Sequence, residues 1–275
     1  MTSNLADTAV WKVKENMATI TDIAEITAER EDNSSVLLLT LQRLSKPEVI
    51  GEEALKEMFD CSGLKLMDQL REEDRNDAKL ANILADYELS FLMPLLAIRQ
   101  DMAKQLAMDP GNAEDLAKWI SENVPSKFHT QPDFVVALFT VVFSHIVNSS
   151  TLPAEAEMEK TAQPEKALVE AEKDLVSKFT VVLRPYVSSG TSLQLTAVYA
   201  LQVFTYDLGF PKGMLLRSFV NCYELDILDE HAFLQWREDV NDCYPGKGKA
   251  LFQVSIYLNL ITRFPWLNPM FPSFP

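Results

Sequence analysis

Apolar residues recur three and four positions apart along most of the chain, the spacing of one face of an α-helix. In 34–45, "SSVLLLTLQRLS", Val36, Leu37, Leu41 and Leu44 share a stripe. In 92–107, Leu95, Ile98, Met102 and Leu106 do the same, and Pro94 suits a first helical turn. Leu193, Ala197, Leu201 and Phe204 line up within 192–206, and 250–263 reads as a helix after a Pro-Gly turn. The stretch 132–147, "PDFVVALFTVVFSHIV", is apolar almost all round and predicts a buried helix; its Val and Phe content leaves a strand pair as the alternative. Shorter helices are expected near 51–59, 62–72, 75–86, 112–121, 167–186 and 212–224. With no strand-turn-strand signal, the pattern predicts an all-α fold, a continuous superhelix of antiparallel helix pairs.

Two stretches break the pattern. Residues 148–166, "NSSTLPAEAEMEKTAQPEK", are polar with two prolines and predict a mobile surface loop. The tail 264–275, "FPWLNPMFPSFP", joins four prolines to four aromatics without a charge, so polyproline II or irregular coil is expected there.

Composition narrows the function. The 275 residues are 47% hydrophobic, enough for a sizeable core. Forty acidic against 25 basic residues give a net charge of −15, which repels nucleic acid and anionic membrane and attracts basic partners. Cys61, Cys222 and Cys243 have no metal-ligand spacing and suit a reducing compartment. The N-terminus lacks a signal-peptide pattern and no run of eighteen apolar residues exists, so a cytoplasmic location is expected.

Catalytic chemistry finds no support. His129, His145 and His231 lack a Cys or Ser partner in a nucleophile arrangement, and His145 reads as a core histidine. No residue set has the spacing of a zinc or calcium site, so no catalytic residue, metal or cofactor is expected. "PGKGKA" at 245–250 lacks the Ser/Thr and the preceding strand of a phosphate loop; Pro245 and Gly246 read as a turn. The densest basic group, Lys212, Arg217, Lys247 and Lys249, sits next to acidic sequence, which argues against nucleic-acid contact.

The one unusual constellation is 223–244, "YELDILDEHAFLQWREDVNDCY". Glu224, Asp226, Asp229, Glu230, Glu238, Asp239 and Asp242 surround Phe233 and Trp236. Asp229 is the expected N-cap of a helix, with Leu228 and Phe233 as a hydrophobic staple. Phe233, Trp236 and Val240 share a core-facing stripe. Glu224, Asp226, Asp229 and Glu230 lie within seven residues without near basic partners in sequence to offset their repulsion, the pattern of a surface that takes a basic partner.

From "LTAVYALQVFTYDLGFPKGMLLRSFVNCYELDILDEHAFLQWREDV" through "YPGKGKALFQV" the sequence resembles the C-terminal W-two domain of translation initiation factor 4 gamma proteins, in particular their shorter, cap-independent branch. "LSFLMPLL" at 89–96 and "LAKWISENVPSKFH" at 116–129 extend the resemblance over about 20–263. It implies a HEAT-type fold over 20–263, with 1–19 a helical segment related to a preceding domain and 264–275 a separate tail. Implied too are a cytoplasmic scaffold role without catalysis and partners in the lysine-rich tail of the initiation factor 2 beta subunit, a MAP-kinase-interacting kinase and other translation factors. The cap-binding-protein site, the middle helical domain and most of the MA-three domain of such factors have no counterpart in this sequence. The family's first aromatic-acidic box maps onto Tyr223, Glu224, Asp226, Asp229, Glu230, Phe233, Trp236, Glu238 and Asp239, with Asp242 beyond it. The aromatic half of its second box maps onto Tyr257, Phe264 and Trp266; the acidic half is replaced by the Pro-aromatic tail.

Overall fold

The computed structural model describes residues 2–15, 17–28, 33–108, 112–152, 164–240 and 244–263. Asp242, Phe264, Trp266, the tail 264–275 and most of the 148–166 stretch lie outside them. The fold is all-α and HEAT-like: among the described residues there are thirteen α-helices, four short 3-10 turns and no strand. Contacts divide the chain into two compact units, Met1–Gln100 and Asp101–Pro275.

The first unit holds α1 (Thr2–Lys14), α2 (Ile20–Ala28), α3 (Asn33–Leu44), α4 (Glu52–Ser62) and α5 (Asp77–Asp86), and α6 (Pro94–Met108) begins in it. The stripe on α3 is its centre: Leu37, Leu41 and Leu44 are buried with Val13, Ile23, Leu55 and Leu80. α1 packs against α3, so residues 2–14 share this core with the helices after them. The sequence pattern did not predict α2. Its signal is a reciprocal capping box, in which Thr19 N–H donates to Asp22 Oδ2 (2.7 Å) and Asp22 N–H donates to Thr19 Oγ1 (3.1 Å). The helix expected over 62–72 is absent. Gly63, at φ 65°, ends α4 in a left-handed cap, and only the 3-10 turns Leu66–Gln69 and Glu72–Asp74 follow.

The second unit holds α7 (Ala113–Asn123), α8 (Pro132–Asn148), α9 (Lys166–Val187), α10 (Thr191–Asp207), α11 (Met214–Glu224), α12 (Glu230–Glu238) and α13 (Lys247–Arg263). α8 is the apolar stretch 132–147, and its seventeen residues bury Phe134, Phe139 and Phe143 together with seven others, which settles helix over strand pair. It packs on α9 and α10; α10 in turn packs on α11 and α12, and α13 closes against both. Part of the expected loop is core: Ser150 and Thr151 are buried, and Thr151 Oγ1 donates to Glu172 Oε2 at 2.8 Å. Among the described residues no helix is long and apolar enough to cross a membrane.

Candidate functional site: an acidic rim on a buried aromatic core

α12 is anchored by its apolar stripe. Phe233 and Trp236 are fully buried, and Phe219 of α11 meets them at ring-centroid distances of 5.0 and 5.3 Å. Leu228 and Phe233 are both buried, as a hydrophobic staple requires. Val240 does not join the stripe: α12 ends at Glu238, Asp239 turns the chain into extended backbone, and Val240 is 92% exposed.

Two glutamines of α10, which the sequence reading passed over, hold α12 in place. Gln202 is fully buried; its Oε1 accepts from Trp236 Nε1 (2.8 Å) and its Nε2 donates to the Pro245 carbonyl (2.6 Å). Gln194, eight residues earlier and therefore close to the same helical face, brackets Asp229. Its Oε1 accepts the Asp229 N–H (2.8 Å) and its Nε2 donates to the Asp229 carboxylate (2.9 Å). The expected side-chain cap is thus absent. Asp229 occupies the N-cap position, but its carboxylate is taken by Gln194. A buried-facing glutamine in an otherwise apolar helix was the available signal.

The acids are not left without partners, as the sequence suggested. Folding brings α9 alongside. Lys173 Nζ lies 2.6 Å from Glu224 Oε2, and Arg184 lies 3.5 Å from Asp226 Oδ2. Arg184 also donates to the Leu225 carbonyl (2.8 Å) and the Asp226 carbonyl (2.9 Å), fixing the turn in which Asp226 adopts φ 50°. Glu238 pairs with Arg237 at 3.4 Å. Asp239 accepts from the Tyr199 hydroxyl at 2.7 Å. Neither Asp229 nor Glu230 has a cationic partner among the described residues. Burial, then the charges of Glu230 and Asp226, push the Tyr223 hydroxyl pKa up, so these acids act on one spot. Glu238 and Asp239 form a second group at the other end of α12.

Asp239 of that group lies near a lysine. Lys247, at the start of α13, donates to the Trp236 carbonyl and sits over the rings of Trp236 (4.1 Å) and Tyr199 (4.9 Å). Tyr244 stacks on Tyr199 at 4.2 Å. Burial pulls the Lys247 pKa down from 10.5 to about 8 against the attraction of Asp239. Gly246 makes the preceding turn at φ 79°, where an added Cβ would lie 2.6 Å from Tyr206 and 2.9 Å from Phe210. The basic group around it is used internally: Arg217 pairs with buried Glu172 at 3.2 Å, and Lys249 lies over Phe210 at 5.1 Å.

Tyr257 of α13 is half-buried; its hydroxyl is buried without a hydrogen bond among the described residues and is pushed up in pKa by burial, then by Glu224. His129 bonds the Val124 carbonyl at 3.0 Å, His145 packs on Phe179, and His231 is exposed. Among the described residues no three His, Cys, Asp or Glu side chains converge on a metal position.

An all-α HEAT-like chain with this acidic rim on a buried aromatic core carries a W2 domain: residues 193–262 match the family described as W2: eIF4-gamma/eIF5/eIF2-epsilon. Over 256 residues, 93% of the chain, it is 38% identical to eukaryotic translation initiation factor 4 gamma 2 of Mus musculus and of Homo sapiens. It is 29% identical over 171 residues (61% of the chain and 9% of the relative) to factor 4 gamma 3 of Homo sapiens. The chain is a homologue of translation initiation factor 4 gamma 2, and it spans 28% of the length of those relatives.

Proposed function

We propose that the chain is a non-catalytic docking domain of cytoplasmic translation initiation, whose acidic rim takes a basic segment such as the lysine-rich tail of the initiation factor 2 beta subunit. The observation that carries this reading is the contrast within α12. Its aromatic face is fully buried and held by Gln194 and Gln202, while Asp226, Asp229 and Glu238 stay exposed on a rigid edge. Charges fixed on a rigid edge orient a partner without ordering cost, and they speed encounter. Glu224, Asp226, Asp229 and Glu230 form the main contact; Glu238, Asp239 and Asp242 extend it. Tyr223, Phe233, Trp236 and Tyr257 support it from within, with Phe264 and Trp266 assigned to the same role by the family's second box.

The test is calorimetric titration of the chain with the lysine-rich segment, at low and physiological salt. The comparison is a variant carrying Asp226→Asn, Asp229→Asn and Glu230→Gln, with helix content checked by circular dichroism. Binding that weakens with salt and drops in the variant is expected. Equal affinity in a folded variant removes the acids from the reading. A second reading, docking of a MAP-kinase-interacting kinase, draws on Phe252, a large aromatic of α13 that is 84% exposed. Such binding persists in high salt and is lost on Phe252→Ser.

A further inference from the structure

Two acids of the main contact, Glu224 and Asp226, already hold cations, and both of these cations come from one helix. Lys173 and Arg184 of α9 reach across to Glu224 and Asp226. Neither cation is buried: Lys173 is 51% and Arg184 47% exposed at the side chain, so both pairs exchange with solvent. Arg184 is also fastened to two carbonyls of the turn, whereas among the described residues Lys173 makes no hydrogen bond or ion pair besides that to Glu224. Lys178, exposed on the same helix, forms no ion pair among the described residues.

We propose that α9 is a built-in competitor for the rim: Lys173 occupies Glu224 as a partner lysine would, and a lysine-rich segment binds by displacing it. The inference rests on the reading of the rim given above. Its consequence is a selectivity rule. Exchanging one lysine for another at Glu224 gains nothing. Net binding comes from further cations that reach Asp229 and Glu230, which hold none among the described residues. An isolated lysine is therefore rejected and a run of lysines accepted. The competitor is a weak one, since an exposed ion pair shifts an equilibrium by at most roughly fivefold. It sets a threshold and does not close the site.

The experiment uses the full chain and an octalysine peptide as the probe, followed by fluorescence anisotropy at low and physiological salt. Three proteins are compared: the native chain, Lys173→Met and Lys178→Met. The two variants lose the same charge from the same helix, so only the contact with Glu224 separates them. Lys173→Met is expected to bind about threefold to fivefold tighter than Lys178→Met, with a steeper salt dependence. Equal gains in the two variants overturn the competitor and leave the rim reading intact. Binding by Lys173→Met alone, with none by the native chain or Lys178→Met, supports the competitor and overturns the rim as a native docking site. No binding by any of the three overturns both.

Discussion

Gln202 shows how one polar side chain orders a core. It is fully buried between Trp236 and Pro245, and both of its polar atoms are used. Gln202→Leu keeps the volume and removes both bonds, leaving the indole N–H and the Pro245 carbonyl without that partner. Each orphaned group costs about 1–3 kcal/mol, so a loss of roughly 2–6 kcal/mol in urea unfolding is expected. Lys247 gives a test in pH. Its ammonium donates to a carbonyl and faces two rings, which favour the charged form, yet desolvation wins and the pKa falls to about 8. Between pH 8 and 10.5 the unfolded chain then binds more protons than the folded one, so this residue's contribution to stability rises with pH. Below pH 8 both states are protonated and its cost is constant. Measured against Lys247→Met, the native chain gains stability as pH climbs through that window. A difference that stays flat, or that shrinks toward high pH, contradicts the assigned shift.

At the scale of elements, what was legible is what is local. The stripe of Val36, Leu37 and Leu41 gave α3, and the apolar run 132–147 gave α8, because helical spacing is written within a few turns. The Gly63 cap cut short the helix expected after α4, and the capping box of Thr19 and Asp22 marked an α2 that the apolar spacing alone did not draw out. The acidic rim was legible as composition but not as electrostatics. Its cations, Lys173 and Arg184, stand 51 and 42 residues from the atoms they meet, and only the packing of α9 on α11 brings them there. The same packing buries an ion pair that no local pattern announces, Glu172 with Arg217. Removing one member leaves a buried charge, so Arg217→Met is expected to cost about 3–5 kcal/mol. Adding Glu172→Leu to it should restore much of that loss. Additive losses in the two single variants would show that the pair does not act as a unit.

At the scale of the whole molecule, the proposed docking function gives the net charge of −15 and the rim different parts. The summed field draws a cationic segment in from a distance, and it is screened within about 8 Å at physiological salt. On that proposal the rim acts after contact, through short-range pairs. The two parts separate kinetically. Raising salt from low to physiological should slow association of a lysine-rich segment by about tenfold, with a smaller effect on dissociation. Neutralising Asp229 and Glu230 removes only 2 of the 40 acids, so the distant field barely changes while the contact loses two carboxylates that have no cationic partner among the described residues. In that variant the dissociation rate is expected to rise by several fold and the association rate to fall by less than about twofold. Stopped-flow measurement on the folded variant decides between the parts. A variant that loses its association rate and keeps its dissociation rate would assign these two acids to steering. The bound segment would then be held elsewhere on the chain.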